Sequence, residues 1–177
     1  MTFQMHHKIV LPHPYDVVYS VLSSNRHFEG LQRLTPFVQS FDLLPSDSVD
    51  PITSLSGLPT APRPTDLEPI SAGNVQERVN FKFTGKSLFQ TVAISGSQVV
   101  LPHLRAVLFE SRVETSGIRE LKLRVCTSIE EGRKTEVEET VWGTAPPMLA
   151  MFLSWTGLAA RTHRQVSEPS DIVNLES

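Results

Sequence analysis

The feature that most limits what this chain can fold into is an alternation of apolar and polar residues, with a period of two, running from Val75 to Val141. Val75, Val79, Phe81 and Phe83 alternate with Gln76, Arg78, Asn80 and Lys82. The pattern resumes in Leu88, Val92 and Ile94, again in Val107, Phe109 and Val113 within Leu104–Glu114, and again in Leu121, Leu123, Val125, Thr127 and Ile129, which alternate with a polar phase of Glu120, Lys122, Arg124 and Cys126. It closes with Thr135, Val137, Glu139 and Val141. Such alternation belongs to strands rather than helices, because successive strand side chains leave opposite faces. Turn signals separate the runs at Gly85-Lys86, Ser95-Gly96-Ser97, Thr115-Ser116-Gly117 and Glu131-Gly132-Arg133. Consecutive hairpins of this kind predict an antiparallel meander.

The flanks differ. Phe3, Met5, His7, Ile9 and Leu11 occupy alternating positions, with Gln4, His6, Lys8 and Val10 between them, and predict a strand that Pro12 and Pro14 stop. Tyr15, Val18, Tyr19 and Leu22 then recur at helical spacing, a second helix is expected over 27–34, and Phe37, Val38, Phe41 and Leu43 suggest a return strand. From Pro45 to Asn74 six of the thirteen prolines fall among Ser, Thr, Asp and Gly, which predicts a long loop. After Gly143, the pair Pro146-Pro147 opens a nearly continuous apolar run to Ala160, with Arg161, His163 and Arg164 near its end, the pattern of a covered helix over 147–166. At 1.5 Å per residue that helix is ~30 Å long, enough to cross the face of a sheet.

With 177 residues the chain is expected to be a single domain over 1–177, carrying a Pro-rich loop at 45–74. The expected class is α+β: a curved antiparallel sheet of six or seven strands wrapped around a long C-terminal helix. Curvature of that degree leaves a void between sheet and helix, the default place for a ligand. A net charge of −3 without a basic block longer than a pair argues against nucleic acid as a partner. No run approaches the ~20 apolar residues of a membrane span. The start of the chain lacks the pattern of a signal peptide, and the single Cys126 excludes a disulfide framework and a cysteine-rich zinc module. A soluble protein of the reducing cytoplasm is the expectation, and the oligomeric state stays open.

This order of elements resembles the helix-grip superfamily, also called SRPBCC or START-like, which includes lipid-transfer domains, plant pollen-allergen-like proteins and aromatase/cyclases of polyketide pathways. The chain is similar to fungal members of that superfamily in His7-Lys8-Ile9-Val10-Leu11-Pro12, in Leu34-Thr35-Pro36-Phe37-Val38 and in the Pro-Pro-led apolar helix. The resemblance implies a cavity for a hydrophobic small molecule and leaves its chemistry open, because the superfamily has no universal catalytic residue.

Strand phase nominates the polar groups that face the void. His7 shares a face with Phe3, Met5, Ile9 and Leu11, Glu77 with Val75, Val79, Phe81 and Phe83, and Glu139 with Val137 and Val141. A carboxylate on an apolar face is either paired or raised in pKa, and a raised value suits general acid–base work; His7 titrates near neutrality without help. These three are the candidate catalytic residues, set against the plainer alternatives of a salt bridge for each Glu and a core hydrogen bond for His7. Candidate ligand-lining residues are Phe81, Phe83 and Phe109 from the sheet, and Met148, Met151, Phe152 and Trp155 from the C-terminal helix. That stripe equally suits plain core. His6, His7 and His13 do not make a metal site, since adjacent strand residues point to opposite faces, and no phosphate loop, nucleophile elbow or Cys–His pairing occurs. No cofactor and no metal are expected. Two functions follow: a cofactor-independent cyclase or isomerase acting on an apolar polyketide- or terpenoid-like intermediate, or a carrier that shields a lipid or other hydrophobic molecule without chemistry. A regulatory domain that binds a partner through the Pro-rich loop is a third.

Overall fold

The computed structural model describes residues 2–33, 38–49, 75–86 and 91–146. Among the described residues seven strands make one antiparallel curved sheet: β1 (Thr2–Leu11), β2 (Val38–Val49), β3 (Gln76–Lys86), β4 (Thr91–Leu101), β5 (Ala106–Val113), β6 (Arg119–Ile129) and β7 (Lys134–Thr144). Their spatial order is β1-β7-β6-β5-β4-β3-β2, so β3 to β7 form the expected meander and β1 returns beside β7. Two helices, α1 (Tyr15–Ser23) and α2 (Asn25–Arg33), link the two edge strands β1 and β2. This is the helix-grip architecture. The expected C-terminal helix, with Met148, Met151, Phe152 and Trp155, lies outside the described residues, as do residues 50–74.

α1 starts where proline allows a helix to start: Val18 donates its backbone N–H to the carbonyl of Pro14 at 3.1 Å. Its Val18, Val21 and Leu22 recur at helical spacing and are buried against Leu11, Cys126 and Val137 of the sheet. α2 contributes Phe28, which is 1% exposed and packs with Phe41, Val79 and Phe81. The side of the sheet that receives both helices is called the helix face below.

Three sequence expectations are corrected. Ser95-Gly96-Ser97 is no turn, because β4 runs straight through it and the chain reverses at Pro102–Arg105. Gly96 serves close packing instead: a Cβ there would lie 2.6 Å from the Phe81 ring and collide with the carbonyl oxygen of Glu110. Residues 45–49, expected to open the Pro-rich loop, belong instead to β2, which continues to Val49. Between Leu44 and Asp47 the register against β3 shifts, a bulge that an edge strand accommodates together with a proline. Finally, β6 is buried on both faces. Leu121 and Leu123 join Val99, Leu101, Ala106, Leu108 and Trp142 in a cluster on the side opposite the helices. Lys122, Arg124 and Cys126, which the sequence places on a polar face, look toward the helices, and Cys126 is buried among Leu11, Val18 and Val137.

Candidate functional site

Pairing register places side chains on the helix face in rows across the sheet. One row runs Val79, Gln98, Phe109, Lys122, Val141 and Met5; the next runs Val107, Arg124, Glu139 and His7. Two of the three acid–base candidates therefore meet: His7 and Glu139 are direct cross-strand partners, with Cβ atoms ~5 Å apart by the geometry of antiparallel pairs. His7 is exposed on the edge strand, whereas Glu139 is 4% exposed. Glu77 stands apart. It is exposed, pairs with Ser48, and lies four strand spacings from Glu139, ~19 Å along the sheet.

Glu139 is engaged by cations. Arg124 donates from Nε at 3.1 Å and from Nη2 at 2.7 Å to Glu139 Oε2, and Lys122 Nζ stands 3.9 Å from Oε1. The Arg124 guanidinium also lies 5.4 Å from the centre of the Phe109 ring, a cation–π contact. Two cations share this one carboxylate at one corner of a largely buried face. Such a corner suits an oxygen that gains negative charge, an enolate or an alkoxide.

Beside it lies an aromatic cluster. Phe28 of α2 approaches Phe41, Phe81 and Phe109 with ring centroids 5.6, 5.1 and 5.9 Å away, and Phe83 stacks on Phe81 at 6.0 Å. All three lining candidates from the sheet, Phe81, Phe83 and Phe109, thus belong to one aromatic patch around Phe28. At the far end of the helix face Tyr15 stacks on Tyr19 at 5.5 Å and carries the Arg105 guanidinium 5.0 Å from its ring. Burial raises the pKa of both phenols and pushes the Cys126 thiol up to about 11, so Cys126 is a poor nucleophile. His6 leaves the opposite face, with Nδ1 3.2 Å from Thr140 Oγ1.

Sequence reading missed Arg124, Lys122 and Gln98. The first two were recoverable by counting. The turn at Glu130–Gly132 joins Ile129 to Lys134, and counting outward from that pair sets Arg124 opposite Glu139. An opening lies across β2 to β5, a groove of about 430 Å³ bordered by Arg78, Asn80, Ser95, Ser97, Glu110 and Arg112. Its wall is tied by Arg78 donating Nε to Asp47 Oδ1 at 2.7 Å, which with Asn80 holds the Asp47 carboxyl down at about 2. Among the described residues no helix is long and apolar enough to cross a membrane.

No protein-family model and no curated protein sequence matches the chain. Solved structures do. The aromatase/cyclase Zhui from Streptomyces sp. R1128 superposes with a TM-score of 0.62 at 10% identity, over 98% of this chain and 93% of that one. Norcoclaurine synthase from Thalictrum flavum, in complex with a transition-state analogue, gives 0.61 at 10% identity over 100% and 98%. Ara h 8.0201 gives 0.58 at 8% identity over 98% and 99%. At these identities the likeness is one of fold, and it agrees with the helix-grip assignment.

Proposed function

We propose that the chain is a cofactor-independent cyclase or isomerase that holds an apolar, polyketide- or terpenoid-like molecule against the aromatic patch of the helix face. The observation that carries this reading is the Arg124–Glu139–Lys122 group: an ion pair placed on a buried face costs desolvation, and a container for grease needs none. That two structural neighbours are an aromatase/cyclase and norcoclaurine synthase supports a cyclase-like role on this fold.

On a poly-β-ketone the chemistry is an internal aldol reaction. His7 takes a proton from a carbon beside a carbonyl, and the electron pair moves onto the carbonyl oxygen as an enolate, which Lys122 and Arg124 stabilise. The enolate carbon forms a bond to a second carbonyl carbon, whose oxygen becomes an alkoxide and recovers the proton from His7. The new bond closes the ring, and loss of the hydroxyl with a hydrogen of the neighbouring carbon as water, followed by enolisation, makes it aromatic. Glu139 holds the two cations in place and stands directly across the strand pair from His7. The aromatic patch fixes the folded conformer, which is where most of the acceleration arises.

The carrier reading draws on one observation: Arg124 engages Glu139 with two nitrogens, so the carboxylate is already occupied. Incubation with 1-phenylhexane-1,3,5-trione separates the two. A cyclase converts it to 5-phenylresorcinol and water faster than buffer does, and His7→Asn slows turnover while leaving binding intact. Stoichiometric binding of unchanged trione identifies a carrier.

A further inference from the structure

Gln98 lies in the middle of β4 on the helix face and is 1% exposed, yet neither Nε2 nor Oε1 of its side chain has a hydrogen-bond partner among the described residues. Its cross-strand neighbours are Val79 and Phe109, and the helix-face residues before and after it on β4 are Gly96 and Val100. None of these four has a polar side-chain atom to offer. The diagonal neighbours Ser111 and Glu77 leave the amide unpartnered as well. An amide buried without partners is destabilising, and a leucine or methionine would fill the same volume without that cost. A residue whose sole task was to fill the core would not be a glutamine.

We infer that the Gln98 amide receives the polar edge of a planar aromatic ligand that carries a hydrogen-bond donor next to an acceptor. The inference rests on the reading of the helix face as a hydrophobic-ligand site and narrows its substrate class. A primary amide presents a donor and an acceptor side by side, whichever way it is turned, and so matches a lactam edge or an enol hydroxyl beside a carbonyl. The surrounding patch supplies the flat apolar contact: Phe109 is the immediate neighbour, and Phe28 lies 5.9 Å from Phe109 and 5.1 Å from Phe81. On the other side of Phe109 stands the Arg124 guanidinium. Gln98 on β4 and Lys122 on β6 stand in one row two strand spacings apart, ~10 Å, the length of two or three fused rings, with Arg124 in the next row. A ligand of that length meets the amide with one end and the cationic corner with an oxygen at the other.

The test compares two probes of equal shape, 2-quinolone, which has N–H and C=O on one edge, and naphthalene, which has neither. Fluorescence titration of wild-type protein is expected to show 2-quinolone binding at least about tenfold tighter, the worth of two neutral hydrogen bonds. Gln98→Leu and Gln98→Met are expected to bring the two affinities within about twofold of each other. In the same variants the melting midpoint of ligand-free protein rises by ~2–4 °C, as an orphaned amide leaves the interior. Equal affinities in wild type, or a preference that survives both substitutions, overturn the role of Gln98 while naphthalene binding leaves the hydrophobic site standing. A lower melting midpoint with an unchanged preference assigns the amide to structure and overturns the inference as well. If neither probe binds wild type, this inference and the ligand-site reading fall together.

Discussion

Removing Glu139 from its cations probes the polar group at its most sensitive point. Glu139→Leu deletes the acceptor of both Arg124 bonds and leaves the Arg124 side chain, 14% exposed, beside the ammonium of Lys122. Breaking one side of a fully buried pair costs ~3–5 kcal/mol, and the residual exposure of Arg124 reduces that to ~2–4 kcal/mol here. For a chain of this length each kcal/mol moves the melting midpoint by ~2–4 °C, so a drop of ~5–15 °C is expected. Arg124→Leu is expected to cost less, because Lys122 stands 3.9 Å from the carboxylate and takes over part of its pairing. The double variant Glu139→Leu/Arg124→Leu replaces the pair by apolar groups and should recover most of the loss, giving a coupling of ~1–3 kcal/mol in the cycle. Urea titration of the four proteins reads all of these quantities. A Glu139→Leu cost below ~1 kcal/mol, with no coupling, would refute the reasoning that the pair is desolvated.

Other substitutions test the packing that positions the site. Gly96→Ala is expected to destabilise by ~1–3 kcal/mol, because its methyl meets both Phe81 and the Glu110 carbonyl. Adding Phe81→Leu should relieve only the side-chain part, and thermal melts of both variants show whether it does. Phe28→Ala empties the centre of the aromatic cluster and should cost ~3–5 kcal/mol by urea titration, together with loss of naphthalene binding. Cys126 supplies a pH dependence. Its folded-state pKa, about 11, exceeds the usual thiol value, so the folded form retains a proton that the unfolded chain releases first, and its contribution to stability falls as pH rises from 9 to 11. Cys126→Ala should flatten that part of the difference between pH 8 and pH 11, and iodoacetamide at pH 8 should label Cys126 only after denaturation.

Where one strand face is apolar and the other polar, phase carried over from sequence to structure directly. β1, β3 and β7 show this: His7, Phe81, Phe83 and Glu139 all lie on the face that receives the helices. The same reasoning fails for β6, because a strand buried on both sides has no solvent phase to read. Lys122 and Arg124 look like surface residues in the sequence and are instead the partners of a buried carboxylate. Gln98 was hidden for another reason. It follows Ser95-Gly96-Ser97, whose composition is that of a turn, and nothing local to the chain reveals that the glycine is there to admit the Phe81 ring. Glu77 shows the converse limit, since the right phase places it on the helix face while its position near the end of β3 leaves it exposed.

Intermolecular NOEs between bound naphthalene and the protein test most directly whether the helix face is where an apolar molecule sits. Binding there predicts contacts to the ring protons of Phe28, Phe81 and Phe109 and to the side chain of Arg124. Contacts confined to Leu108, Leu121, Leu123 and Trp142 on the opposite face would contradict it.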